Sequence, residues 1–475
     1  MQIFTYIIPI LTVLNISCRG FLDEISQDQI RPDKADHFAS LILNECTLKH
    51  AYFPGGSHMT DDISENSLVE TSKKKTYKTI YTWQNEIELD ENGYRINSNN
   101  AWTDLYRSIA ILNDVLISID DIYDTEAEIA FVRGEAYFLR AYSYFDLVNL
   151  YALPYEPGKA TTQLGVPIRL THGVEQTYTR NSVEECYEQI ERDLKAGRAE
   201  LARSGLTKTL WHPTVEACDL LMSRIKLFKQ EWESVIAYAD SVTSKRGMMK
   251  LLDSMQFINS SNSEILYSFQ YKRANNNIEH MKNTGYIVSG DLLAQYDDSN
   301  DIRFKCFFVK QSNNRQTNYY PRKFESYFSN VGIFNMRVAE AWLNKAEAYV
   351  HLDDISSAQA ALKHIVYNRY RQPNKVVIPV DPEELLRFIY DERRREFCFE
   401  EHFRWYDLRR MGVDCRPEFR HIFTYVNENS LQEGQEAYSL LKDDPNYVLP
   451  IPLGERDNNP LIINNDRMAK LPEAV

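Results

Sequence analysis

The thiol at Cys18 stands at the most chemically suggestive place in the chain. It closes an uncharged apolar run of fourteen residues, Ile3 to Ile16, and precedes an acid-containing stretch that begins Phe21-Leu22-Asp23. The run is short for a transmembrane helix, which takes about 20 residues, and suits the apolar region of a secretory signal, about 7–15 residues. Asn15-Ile16-Ser17-Cys18 resembles a lipobox, in which a small residue precedes a cysteine that is lipidated and becomes the mature N-terminus. Gln2 stands where a basic residue is usual and Asn15 where Leu is usual. A buried N-terminal strand or helix is the alternative. The expectation is a signal peptide over residues 1–17 and a lipid anchor on Cys18.

Other reactive groups do not assemble into a catalytic motif. No GxSxG, HExxH, P-loop or GxGxxG pattern occurs. His50 and His58 have no third ligand at metal spacing and read as loop histidines. Asp61-Asp62 reads as a solvated acidic turn, with calcium ligation as the alternative. Cys46, Cys186, Cys218, Cys306, Cys398 and Cys415 form no CxxC or Cys/His cluster, which argues against zinc and for free, mostly buried thiols. No metal and no cofactor are expected. The net charge of −14 argues against nucleic acid or anionic lipid held by bulk electrostatics.

The elements that would position any site are helical. Of the 475 residues, 43% are hydrophobic, enough for a large core. Leu105, Ile109, Leu112 and Leu116 mark one helix. Gly134, Phe138, Ala141, Phe145 and Val148 mark a long second one, closed by Pro154. Thr214–Lys229 pairs with Glu231–Val242, and Met336–Leu352 pairs with Ile355–Tyr367. Two antiparallel helices in about 30 residues is tetratricopeptide-like geometry, so the fold class expected is mainly α, a helical-pair scaffold. Between the pairs, 53–93, 259–286 and 311–328 read as long polar loops that carry aromatics, and such loops often bind. The stretch Ile389–Gly412, IYDERRREFCFEEHFRWYDLRRMG, reads as one helix. Its Asp391–Arg395 and Glu400–Arg404 spacings would balance charge along it, with Trp405 on the buried side.

Several of these stretches together resemble one family, the SusD/RagB outer-membrane nutrient-binding lipoproteins of Bacteroidota. Cys18 with Phe21-Leu22-Asp23 is similar to its C-x-x-F-L-D start. Trp102, Tyr106, Ile109 and Asn113 fit one helix pattern, and GEAYFLRAYSYFDL from Gly134 fits a second. Asp301-Ile302-Arg303, Arg337 with Ala339-Glu340-Ala341, and Ala346-Glu347-Ala348 follow in order. Glu392-Arg393, Glu396, Phe399-Glu400 and Arg404 to Arg410 match next, with Glu401 where Gly is usual. Pro450-Ile451-Pro452, Glu455 and Asn459-Pro460 close the series.

The resemblance implies a single SusD-like domain over 18–475, with an N-terminal part to about 215 and a C-terminal part from about 216. It implies a non-enzymatic lipoprotein on the outer membrane, facing the cell exterior, that binds an oligosaccharide or other nutrient and delivers it to a SusC-like TonB-dependent transporter. A sugar ligand has a physical rationale: pyranose C–H faces pack on aromatic rings while amide and charged side chains satisfy hydroxyls. The candidate ligand-binding residues are Tyr81, Trp83, Asn85, Tyr94 and Asn97 with Arg95 beside them, and Asn313, Tyr319, Tyr320 and Arg322; Tyr271 and Tyr286 are the reserve. A scaffold that binds only protein partners and a surface glycoside hydrolase, which needs two carboxylates about 5–9.5 Å apart, are the alternatives.

Overall fold

The computed structural model describes residues 32–96, 99–171, 177–253, 255–271, 278–323 and 331–475. Cys18, Asn97 and the segment 324–330 lie outside them. The N-terminal helices are α1 (Ala35–Leu41), α2 (Thr71–Tyr81), α3 (Ala101–Ser118), α4 (Glu126–Tyr151), α5 (Val183–Ser204), α6 (Val215–Lys229) and α7 (Trp232–Thr243). After them come α8 (Ile278–Thr284), α9 (Gly290–Ala294), α10 (Ile302–Phe307), α11 (Val338–His351), α12 (Ile355–Arg369), α13 (Pro382–Phe397), α14 (Phe403–Arg410) and α15 (Leu453–Asn458). α4 packs on α3 and α5, α5 on α6, α6 on α7, α7 on α11, and α11 on α12 and α13. The molecule is a helical-pair scaffold, mainly α. No helix among the described residues is long and apolar enough to cross a membrane.

Local chemistry starts and stops these helices where orphan N–H groups need partners. The Thr125 hydroxyl accepts from Glu128 N, Thr214 from Ala217 N, and Asp381 from Glu383 and Glu384 N. Ser182 and Glu185 form a reciprocal capping box at α5. The stripe Cys218, Leu221, Ile225 and Phe228 on α6 is buried. α4 and α5 cross through glycine. A Cβ on Gly134 would lie 3.0 Å from the Gly197 carbonyl oxygen, and one on Gly197 would lie 2.9 Å from the Gly134 carbonyl oxygen. Backbone therefore meets backbone at this crossing.

Among the described residues, four antiparallel strand pairs decorate the scaffold. β1 (Ile63–Glu65) pairs with β3 (Tyr286–Val288), and β2 (Ile265–Phe269) with β6 (Phe334–Arg337). β4 (Phe308–Ser312) pairs with β5 (Thr317–Pro321), and β7 (Phe419–Val426) with β8 (Gln432–Leu440). The segments expected as polar loops thus hold α2, α8 and parts of three strand pairs. α2 hides in the sequence because an interior position is Lys74. Its ammonium is buried and bonds Glu65 and the Thr424 carbonyl, while Tyr77, Ile80 and Tyr81 supply the apolar side.

The 389–412 stretch is two helices, not one. The chain breaks between α13 and α14, with Phe399 at φ 63° and Glu401 at φ 45°. The left-handed backbone at 401 is one that glycine adopts freely. Here Glu401 holds it while Tyr142 Oη (2.6 Å) and Arg224 Nη1 (3.0 Å) donate to its carboxylate. The expected i,i+4 pairs do not form either. Arg337 donates to Glu396 at 2.8 Å and to Glu400 at 2.6 Å, Arg369 to Glu396 and Glu264, and Arg303 to Asp301. These arginines have no surface exposure. Buried cations of this kind need partners on every side, and the break lets two helices reach partners across the fold. The six cysteines after Cys18 are free thiols, and all but the half-buried Cys415 are buried.

Candidate functional site

α2 and the segment that precedes it border three surface clefts. Thr76, Tyr77 and Ile80 on one side of α2 line a first cleft of about 410 Å³, with Tyr52, Phe53, Asn100, Asp104, Arg107 and Gln270 around them. The approach to α2, Asn66 to Val69, lines a second cleft of about 410 Å³ with Lys282 and the β4–β5 hairpin. Thr71, Lys75, Lys78 and Thr79 line a third of about 470 Å³, with Asn85, Glu86, Tyr425, Glu436 and Tyr438 opposite. All fall in the range typical of small-ligand sites.

The first cleft joins aromatic surface to hydrogen-bonding groups. Tyr52 is half-buried and packs edge-on against Phe334 at 5.4 Å, which fixes its ring. Tyr77 stacks on His58 at 4.1 Å. Gln270, at φ 59°, donates its backbone N–H to the Thr47 carbonyl and its side-chain amide to the His50 carbonyl. Beneath this floor lies a titratable layer. His50 Nε2 is 2.9 Å from Asp146, and His402 Nε2 accepts from Phe53 N at 3.2 Å. Burial pulls His402 down to about 4 and pushes Glu401 up to about 7. His50 and His58 are thus core residues, not loop histidines.

Asp61-Asp62 is likewise no solvated turn and no calcium site. Both carboxylates are buried against Arg394, and Asp61 also meets Arg404. Burial pushes Asp61 up, but the two guanidiniums outweigh it and hold that carboxyl well below the usual range. Among the described residues no group of three His, Cys, Asp or Glu side chains could hold a metal ion.

The residues singled out in the sequence scatter. Tyr81 and Trp83 are buried and present no ring to a ligand. Trp83 sits at φ 50° just past α2, which turns its indole inward to stack on His421 at 4.3 Å and donate to the Met59 carbonyl. Tyr81 stacks on the other side of the same His421, at 4.0 Å, and its hydroxyl accepts from Glu65 N. Tyr320 is buried with Lys282 over its ring, and Tyr319 is half-buried beside Phe304. Asn313 is exposed and lines the second cleft, Asn85 is exposed and lines the third, and Arg322 is half-buried. Tyr94 is exposed at the tip of a turn held by Asp90, with Arg95 beside it. Of the reserve pair, Tyr286 is fully buried and Tyr271 is half-exposed 6.2 Å from Trp211. Tyr52 and Tyr77 were missed: Tyr52 flanks the 53–93 segment that read as loop, Tyr77 lies within it, and their convergence has no sequence spacing.

Residues 20–227 match a family described as starch-binding and associating with the outer membrane, and residues 255–467 match the SusD family. The SusD-like protein P2 of Formosa agariphila is 21% identical over 425 residues, covering 77% of this chain and 79% of that protein. A SusD superfamily protein of Bacteroides thetaiotaomicron superposes with a TM-score of 0.70 at 21% identity, over 91% of this chain and 100% of the other. A putative sugar binding protein of Bacteroides vulgatus gives 0.67 at 22% identity, over 91% and 97%. At these identities the structural likeness is one of fold.

Proposed function

The chain belongs to the SusD family, and from that premise we propose that it binds a saccharide at the surface clefts around α2 as a non-enzymatic, outer-membrane lipoprotein. The observation that carries this reading is the first cleft. It sets the half-buried Tyr52 ring beside Asn100, Asp104, Arg107 and Gln270, with the buried Tyr77 and Ile80 in its floor. An apolar floor with convergent amide and charged groups suits a ligand that has both C–H faces and hydroxyls. The family description of starch binding at the outer membrane supports the same ligand class. Cys18 is the proposed anchor, because two or more acyl chains give stable membrane attachment. Delivery of the ligand to a SusC-like TonB-dependent transporter completes the proposal and rests on the family resemblance.

Affinity electrophoresis against a panel of polysaccharides, with product analysis of the same mixtures, tests it. Retardation without release of shorter products is expected. Release of shorter products would make the protein a hydrolase, and no retardation by any glycan would favour a scaffold for protein partners.

A further inference from the structure

We propose that the second cleft, between Lys282 and the β4–β5 hairpin, takes an anionic saccharide unit, one that carries a carboxylate or a sulfate. The proposal rests on the saccharide-binding reading above and names the class of sugar.

The charges of the three clefts differ in kind. In the first, Lys49 bonds Glu45 at 2.5 Å and Arg107 lies 3.5 Å from Asp104. In the third, Lys78 lies 3.3 Å from Glu91 and 3.8 Å from Glu436, and Lys470 pairs with Asp444. Those cations are answered by the protein's own acids, and Lys75, which forms no ion pair with a described residue, shares the third cleft with Glu86, Asp90, Glu91 and Glu436. The second cleft holds Lys282 and Arg315, and no carboxylate is among its described lining residues. Neither cation forms an ion pair with a described residue.

Both cations are placed by their surroundings. Lys282 Nζ lies 5.5 Å over the Tyr320 ring, which favours the ammonium there. That contact occupies the ring, and Tyr320 is only 5% exposed, so this cleft cannot bind by stacking on it. The hairpin register Ser312↔Thr317 leaves a four-residue tip, 313–316. The Asn313 side chain accepts from Arg315 N and Gln316 N, both at 2.9 Å, and fixes the turn that carries Arg315. Gln316 then donates to Asn66 at 3.0 Å, tying the hairpin to the approach to α2. Asn318 adds a buried amide to the wall.

This arrangement recognises an oxyanion with neighbouring hydroxyls. A guanidinium fork matches a planar carboxylate or two sulfate oxygens, and an ammonium adds a point charge. Amides serve the hydroxyls. A chain of net charge −14 repels polyanions in bulk, so an anionic glycan needs a local cationic site of this kind.

The test runs the full chain through native gels that contain anionic polysaccharides (polygalacturonate, alginate, chondroitin sulfate, carrageenan) and neutral ones (starch, xylan, galactomannan). At least one anionic polymer is expected to retard wild type. Lys282→Ala and Arg315→Ala are each expected to weaken that binding tenfold or more, and Lys282→Arg to restore most of it. Unfolding midpoints of the variants should match wild type, since neither side chain holds an ion pair with a described residue. A response to carboxylate polymers alone assigns a uronic acid, and one to sulfated polymers alone a sulfate ester. Retardation by neutral polymers only overturns the inference and leaves saccharide binding standing. Anionic binding that the alanine variants keep at full strength overturns its placement in this cleft. No retardation by either group overturns both readings.

Discussion

Arg404 closes a two-pronged pair with Asp61 across 343 residues of chain, Nε to Oδ1 and Nη2 to Oδ2, each at 2.7 Å. Arg394 joins them, 3.2 Å from Asp61 and 2.9 Å from Asp62. The Asp61-Asp62 segment is thereby held at one point to the consecutive helices α13 and α14, more than 330 residues on.

Asp61→Ala leaves the half-buried Arg404 without its carboxylate partner, while Arg394 keeps Asp62 and Asp291, and is expected to cost about 3 kcal/mol, the low end of the scale for breaking a buried pair from one side. Asp61→Asn keeps a hydrogen-bond acceptor and should cost less. Denaturant titration with a constant m-value reads the difference. A loss below about 1 kcal/mol for the alanine variant would show that water replaces the carboxylate.

Trp405→Ala is expected to destabilise by about 3–5 kcal/mol, the usual cost of emptying a large aromatic site in a core. Trp405 is 1% exposed and stacks on Tyr447 at 5.4 Å. Saccharide affinity of the surviving folded protein should match wild type. Lost affinity at an unchanged melting temperature would move Trp405 from core to site.

Trp83→Ala and Tyr52→Ala should separate folding from binding. Trp83, pressed on His421, should behave as a core truncation, with about 3–5 kcal/mol lost and affinity kept. Tyr52 in the first cleft should show the reverse pattern, with little change in melting and about 1–3 kcal/mol lost in binding, on the scale of ring stacking. Calorimetry with the best ligand from the electrophoretic panel measures both. Equal affinity for Tyr52→Ala and wild type would move the sugar site off the first cleft.

Folding should transfer a proton between neighbours. Burial raises Glu401 from 4.5 to about 7 and lowers His402 from 6.5 to about 4. His402 alone makes the native state less stable as pH falls from about 6.5 toward 4, because the unfolded histidine takes up the proton first. Glu401 alone makes it less stable as pH rises from about 4.5 toward 7, because the unfolded carboxyl gives up its proton first. The two slopes oppose in wild type. Glu401→Gln should expose the acid-side loss and His402→Gln the opposite trend, each on the order of 1–3 kcal/mol across the window. Melting curves from pH 4 to 8 decide it, and identical slopes in all three proteins would be the contrary result.

Cys18→Ala should leave the protein folded and release it from the membrane. Cell fractionation without the transporter partner is the measurement. A variant that stays in the outer membrane as firmly as wild type would place the anchor elsewhere.

The scaffold was legible where apolar spacing was undiluted, as in Cys218, Leu221, Ile225 and Phe228. It was illegible where ions take core positions. Lys74 made α2 look like a charged loop, and Asp391 and Glu400 suggested local pairing with Arg395 and Arg404, while Glu400 pairs instead with Arg337 at the end of β6. The break at Phe399 and Glu401 carries no glycine to mark it. The clefts were harder still: Tyr52, Tyr77, Asn100 and Gln270 converge only through tertiary packing. Trp83 and Tyr81 misled because a left-handed turn and His421, more than 330 residues on, decide where their rings go.

Arg409 has a consequence for the order in which the chain is made. It is buried with no carboxylate partner among the described residues, and burial lowers it to about 10. It donates instead to backbone carbonyls: Tyr447, and Asn149 and Ala152 at the end of α4. The last turn of α4 is therefore closed by a residue that leaves the ribosome 257 positions after Ala152. The Asp61–Arg404 pair waits almost as late. Through most of vectorial synthesis the N-terminal helices thus have their apolar stripes but not these closures, which arrive only with the final quarter of the chain.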